Sequence, residues 1–168
     1  MGELPLPFLG RVRSPDGEYL HLIFMCEGDI DGCCPWDADG GANAVVCVDA
    51  DTVGVAAGAP VSGGVRCEPY GSRVECVEVS HYNEARTLWS ERNPGRRREV
   101  LGQIGGEADW LNFDGTPDCD HCRRPMRFVA QLEAGPDHET EMNFGGGCGY
   151  LFECACAGGS GKFLWQST

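Results

Sequence analysis

The sequence predicts a β-rich α+β domain, built from two related antiparallel sheet units and one main helix. Three observations lead there. Short runs of bulky and β-branched residues recur between Gly, Pro and Asp turn signals. One stretch, 81–92, spaces its apolar residues as a helix does. The chain also repeats itself, and a repeat dictates architecture before any local pattern does.

The repeat is seen by laying Pro5 to Val12 under Pro125 to Leu132. The proline, the phenylalanine and the aliphatic positions coincide at an offset of 120. Leu22 to Cys26 lies in the same way under Tyr150 to Cys154 at an offset of 128, and Trp36 and Trp165 follow. The units span about 4–50 and 119–166 of a single 1–168 domain. The Cys119-x2-Cys122 pair ahead of Pro125 has no counterpart ahead of Pro5.

In chain order, residues 4–12 form an extended segment and Ser14-Pro15-Asp16-Gly17 a turn. Tyr19 to Cys26 reads as a strand, 27–43 as loop, and Ala44 to Val48 as a second strand. Residues 52–64 are a weak strand or a surface loop. Segments 65–67 and 73–79 flank Pro69-Tyr70-Gly71-Ser72 as a hairpin. There Cys67 and Cys76 face each other as buried thiols or as a disulfide. Ser80 caps the helix over 81–92, whose buried face is Tyr82, Ala85, Leu88 and Trp89, and Asn93-Pro94-Gly95 ends it. Arg96-Arg97-Arg98 has phosphate-gripping chemistry but no interleaved aromatic platform, so it reads as a solvated loop. Glu107 to Asn112 continues as irregular chain. A short apolar strand follows at 125–132, and another precedes the Cys154 and Cys156 pair, with Phe163-Leu164-Trp165-Gln166 after it.

Composition bounds the function. Of the 168 residues, 42% are hydrophobic and 23% charged, ordinary for a globular domain. The formal charge of −13 repels nucleic acid on average. It is unevenly spread, since residues 81–127 hold eight arginines and eight acidic residues and are neutral. The start of the chain has no basic, apolar leader, and no stretch approaches the roughly 18 apolar residues of a membrane span. Leu6 stands where myristoylation would need Ser or Thr. The expected compartment is the cytoplasm, where clustered thiols bind metal more often than each other.

The eleven cysteines therefore point to metal. A tight C-x2-C loop, Cys119 and Cys122, supplies two thiolates to a tetrahedral zinc, and a second close pair, Cys154 and Cys156, supplies two more. Cys156 is the least secure ligand, because C-x-C is a poorer donor geometry. Cys148, Cys26, Cys33 and Cys34 are substitutes, with His121 a remote one. Redox use of Cys119-x2-Cys122 would want a following helix to lower a thiol pKa, and a β-type run follows instead. Asp29, Asp31, Asp37 and Asp39 resemble a calcium loop only faintly, without its twelfth-position glutamate.

Catalytic and nucleotide signatures are absent. There is no Gly-x-Ser-x-Gly elbow, and His138-Glu139-Thr140-Glu141 lacks the second histidine of a zinc protease. Leu101 to Gly106 matches neither phosphate-loop pattern.

Taken as a set, several motifs resemble the bacterial YwqG-like family of unknown function. They are Leu101 to Gly106 with Trp110, the Cys119-x2-Cys122 pair, Pro125 to Leu132, Asn143-Phe144-Gly145, Gly149 to Cys154 and Phe163 to Gln166. Phe24-x-Cys26 and Trp36 to Asn43 fit it upstream. The order of C-x2-C, Pro-x-x-Phe and Phe-x-Cys is also similar to the programmed cell death protein 2 family, whose members chaperone a ribosomal protein. Both resemblances imply a β-rich, internally duplicated, non-enzymatic protein, and the first an immunity-like role against a toxin. Family members often place a cysteine directly after the final Trp-Gln. Here Ser167 stands there, and Cys156 is nominated in its stead.

The expected function is a zinc-stabilised, acidic protein-binding module for a basic partner, with no membrane, nucleic acid or small-molecule substrate identified. The alternatives are a ribosomal-protein chaperone and an enzyme using a cysteine nucleophile or an open zinc.

Overall fold

The protein is described by a computed structural model over residues 6–26, 33–51, 71–137, 141–142, 144–157 and 160–168. Among these residues there are seven strands and one α-helix. The strands are β1 (Phe8–Arg13), β2 (Tyr19–Met25), β3 (Asn43–Asp49), β4 (Gly102–Ile104), β5 (Arg127–Glu133), β6 (Cys148–Cys154) and β7 (Ser160–Gln166). The helix is α1 (Tyr82–Arg92), and short 3-10 turns cover Arg97–Glu99 and Ala155–Ala157. Among the described residues no helix is long and apolar enough to cross a membrane.

The two expected sets of strands are continuous in one curled antiparallel sheet, ordered β1-β2-β3-β7-β6-β5-β4. β1 to β3 form one meander and β4 to β7 another. Among the described residues the one backbone pairing between them is Val45 of β3 with Gly161 of β7. That approach needs glycine, because a Cβ on residue 161 would lie 2.4 Å from Val45 Cγ1. Curling brings the β1–β2 turn against β5, where the Arg127 guanidinium meets Asp16 at 3.2 Å and also binds Glu153. Buried His21 of β2 lies 2.8 Å from the other Glu153 oxygen, so one carboxylate joins both meanders.

The β1–β2 and β5–β6 pairings each carry a bulge. β1 pairs Phe8 with Phe24 and then Gly10 with Ile23, skipping Leu9. β5 pairs Phe128 with Phe152 and then Ala130 with Leu151, skipping Val129. An extra residue breaks the period of two, and so adjacent Val129 and Ala130 join one core cluster.

That cluster lies inside the curl and includes Ile23, Met25, Phe144, Leu151, Phe163 and Trp165. A second cluster, on the other face of β6 and β7, contains Cys119, Met126, Cys148, Tyr150, Phe152 and Leu164. Covered on both faces, β6 is buried from Cys148 to Glu153, as a central strand packed on two sides must be.

The irregular chain at 107–113 covers the second cluster. Trp110 lies on Tyr150 and stacks on Phe152. Its backbone groups cannot join the sheet, and side chains of β5, β6 and β7 satisfy them instead. Gln131 Oε1 accepts from Asp109 N (2.9 Å). Tyr150 Oη accepts from Leu111 N (3.2 Å) and donates to Asp109 O (3.0 Å). Gln166 accepts from Asn112 N (3.1 Å) and donates to Phe113 O (2.8 Å). Gln166→Leu leaves the last two groups without those partners. It is expected to cost about 1–2 kcal/mol, measured by urea unfolding with the slope unchanged.

Several expectations need correction. The helix starts at Tyr82 with His81 at its N-cap, and no side chain caps it. Glu84 instead accepts from Ser80 N at 3.1 Å. Of the expected buried face only Tyr82 is buried, while Ala85, Leu88 and Trp89 are half-exposed. The helix packs through a ring and a salt bridge rather than an apolar stripe: Tyr82 Oη donates to Glu133 and Arg86 pairs with the same carboxylate. Residues 71–79 are not a strand. Residues 52–70, including Cys67, lie outside the described residues, as do Asp29, Asp31 and His138. β4 was not expected at all. Asp39 is bonded to Lys162 rather than arranged as a cation ligand.

Candidate metal centre

The Cys119–Cys122 loop is a tight hairpin. An isolated bridge joins Asp118 to Pro125, and Met126 N donates to Pro117 O at 2.9 Å. Within it Cys119 N donates to Arg124 O (2.9 Å) and Arg123 N to Cys119 O (2.8 Å). Arg123, at φ 58, takes the left-handed turn that glycine usually supplies.

The second pair comes from the end of β6. Two residues apart on an extended strand, Cys154 and Cys156 could only share a side. The 3-10 turn at Ala155–Ala157 breaks the strand after Cys154 and folds Cys156 back. All four Sγ atoms then lie within 4.8 Å of one another. The Cys119–Cys156 and Cys122–Cys154 separations are 3.4 and 3.6 Å. A tetrahedral ion with S at about 2.3 Å sets its sulfurs roughly 3.8 Å apart, so the cage matches a four-thiolate site closely. Cys119, Cys122, Cys154 and Cys156 could thus hold a metal ion. Cys119 is fully buried and the other three are half-buried.

The substitutes lie elsewhere. Cys148 sits in the second core cluster, bonded to Gln131 and Tyr150. Cys26 and Cys33 approach each other at 2.8 Å, and Cys34 and His121 are exposed. Ser167 lies by Gly145 and accepts from Asn112 through its carbonyl.

The surroundings favour negative sulfur. The Cys122 N–H, followed by the Ser160 hydroxyl, pulls the Cys119 thiol down to about 5. The Arg124 side chain lowers Cys122. Cys156 is pushed up to about 12 because its proton is held between Cys154 and Cys119. A divalent cation would replace that proton. A depressed thiol stabilises the fold in full above its unfolded pKa of 9.0 and loses that contribution as pH falls through about 5. Metal retention follows the same sign. Zinc-loaded protein is expected to keep its ion at neutral pH and release it as pH falls toward 5, read with a chromogenic chelator.

Lys162 of β7 is the support that spacing could not reveal. Its buried ammonium donates to Asp118 O (2.8 Å), to Asp120 Oδ1 (2.8 Å) and to Asp39. It thereby ties the cysteine loop to the sheet. Lys162→Met is expected to weaken zinc binding by about tenfold, as loss of an outer-shell partner does, measured by competition with a chelator of known affinity. The only sequence signal was a lysine inside an otherwise apolar strand.

Comparison of the chain with protein-family models, with curated proteins and with solved structures finds no match.

Proposed function

We propose that the protein is a non-enzymatic binding module, closed around one structural zinc, whose acidic surface engages a basic protein partner. The observation that carries the reading is the cage itself. Four sulfurs within 4.8 Å of one another fill a tetrahedron and leave no position for water or substrate. Its base is a packed apolar cluster rather than a cleft. A charge of −13 suits association with a partner of opposite sign, the class that includes basic toxins and ribosomal proteins. Reduced thiols at Cys119, Cys122, Cys154 and Cys156 suit a reducing cytoplasm. The motifs that resemble the YwqG-like family support the same reading, and membership is proposed with it.

The internal duplication belongs to this proposal. Its support is a repeated irregularity: both bulges fall at matching positions of the repeat, after Phe8 and after Phe128. The edge-on ring pairs beside them also match, Phe8–Phe24 at 5.6 Å and 63°, and Phe128–Phe152 at 5.9 Å and 68°. Trp36 and Trp165 do not correspond, one being in a turn and the other in β7.

The test is alkylation of the native, zinc-loaded protein with peptide mapping. The module predicts protection of Cys119, Cys122, Cys154 and Cys156 until a chelator is added. A single cysteine in this group that alkylates fast with zinc in place would instead indicate an open site or a nucleophile. Capture by the immobilised chain should recover basic proteins that salt elutes. Recovery of acidic or neutral proteins resistant to salt would contradict the charge argument.

A further inference from the structure

α1, the 3-10 turn after it, the end of β5 and the Gly145–Gly147 turn enclose a cavity of about 390 Å³. Such a volume is ordinary for a small-molecule site, and this one lies apart from the cysteine cage. Three guanidinium groups, Arg86, Arg97 and Arg98, line it. Arg86 comes from the helix and joins two members of the arginine run that, in sequence, reads as a solvated loop.

The three cations are not equally committed. Arg98 pairs with Glu141, and Arg86 Nη1 lies 3.3 Å from Glu133 Oε1 while the group sits over the Tyr82 ring. Glu133 is already served by the Tyr82 hydroxyl. Arg97 is exposed, and its side chain has no acceptor among the described residues. Arg86 Nε is buried and has no hydrogen-bond partner. Closed to water, that nitrogen is closed to a ligand too, and Arg97 is the cation left to meet one. With both carboxylates paired, one positive charge is left facing the cavity of a chain whose net charge is −13.

The turn opposite adds donors. Gly145 and Gly146 take φ 58 and 81, and neither N–H meets an acceptor among the described residues. Backbone in this conformation commonly cradles anions. Val100, Met142 and Phe144 make the apolar part of the wall. A carboxylate is satisfied by one arginine fork. The free Arg97 fork and two glycine N–H groups supply more donors than that, and they suit a phosphoryl group with three terminal oxygens.

We infer that this cavity binds a small phosphate monoester, its phosphoryl group held by Arg97 and the Gly145–Gly146 amides and its organic part against Met142 and Phe144. The inference does not depend on the zinc module.

Titration of the full-length, zinc-loaded, ¹⁵N-labelled protein with inorganic phosphate tests it, with acetate and chloride at matched ionic strength as the other arms. Saturable shifts of the Gly145 and Gly146 amides and of the Arg97 Nε–H with phosphate are expected. Arg97→Ala, at an exposed position, should weaken that binding about tenfold and leave the thermal midpoint unchanged. Equal saturation by acetate would overturn the phosphate assignment. Absence of saturation, or unchanged affinity in Arg97→Ala, would overturn the site.

Discussion

Removing the metal, or replacing Cys119 by Ser, is expected to lower the thermal midpoint by about 10 °C. An ion bound to the folded state alone stabilises it by mass action, about 4 kcal/mol at a thousand times its dissociation constant. For a domain of this size each kcal/mol moves the midpoint by about 2–4 °C. The loss should be local in origin. Cys119 is fully buried, and the loop that carries it is held by few backbone bonds besides those at Asp118–Pro125. Without an ion, crowded thiolates repel each other or must take up protons. Calorimetry with and without chelator measures the effect. Cys34→Ser serves as the control, because Cys34 is exposed and outside the cage, and it should change nothing beyond about 0.5 kcal/mol.

Gly161→Val should be nearly as damaging for a different reason. Among the described residues Val45–Gly161 is the one strand pairing between the two meanders. Even a bare Cβ there would lie 2.4 Å from Val45 Cγ1, 2.9 Å from Val45 Cβ and 3.1 Å from Cys47 Sγ. Those atoms belong to a packed strand and cannot step aside cheaply. Overpacking of this kind costs about 3 kcal/mol, and here it separates β3 from β7. Loss of hydrogen-exchange protection in β3 and a lowered midpoint are the expected results. Zinc stoichiometry should persist, because the strand displaced, β3, carries none of the four cysteines. Gly10→Ala, where an added Cβ meets nothing within 4 Å, should be near neutral.

What the sequence made legible was local. The C-x2-C loop and the strand ending in Cys154 announce themselves through spacing and turn residues. Cys156 was nameable as a ligand, but the 3-10 turn that delivers it has no sequence mark beyond two small residues, Ala155 and Ala157. Non-local features stayed hidden. Nothing in residues 43–49 says that β3 will lie beside β7. The helix was overread, since Leu88 and Trp89 have the spacing of a buried face but remain half-exposed. Gln131 and Gln166 were the missed clue: glutamines inside apolar strands are expensive unless they serve some backbone, and here they serve the chain at 109–113. Arg86 joined Arg97 and Arg98 only through tertiary packing, which no linear pattern encodes.

X-ray absorption at the zinc edge, on protein purified without added metal, tests the central claim most directly. The account predicts one zinc per chain with four sulfurs at about 2.3 Å and no oxygen or nitrogen in the shell. A chain purified without zinc, or a zinc shell containing water or imidazole, would contradict it.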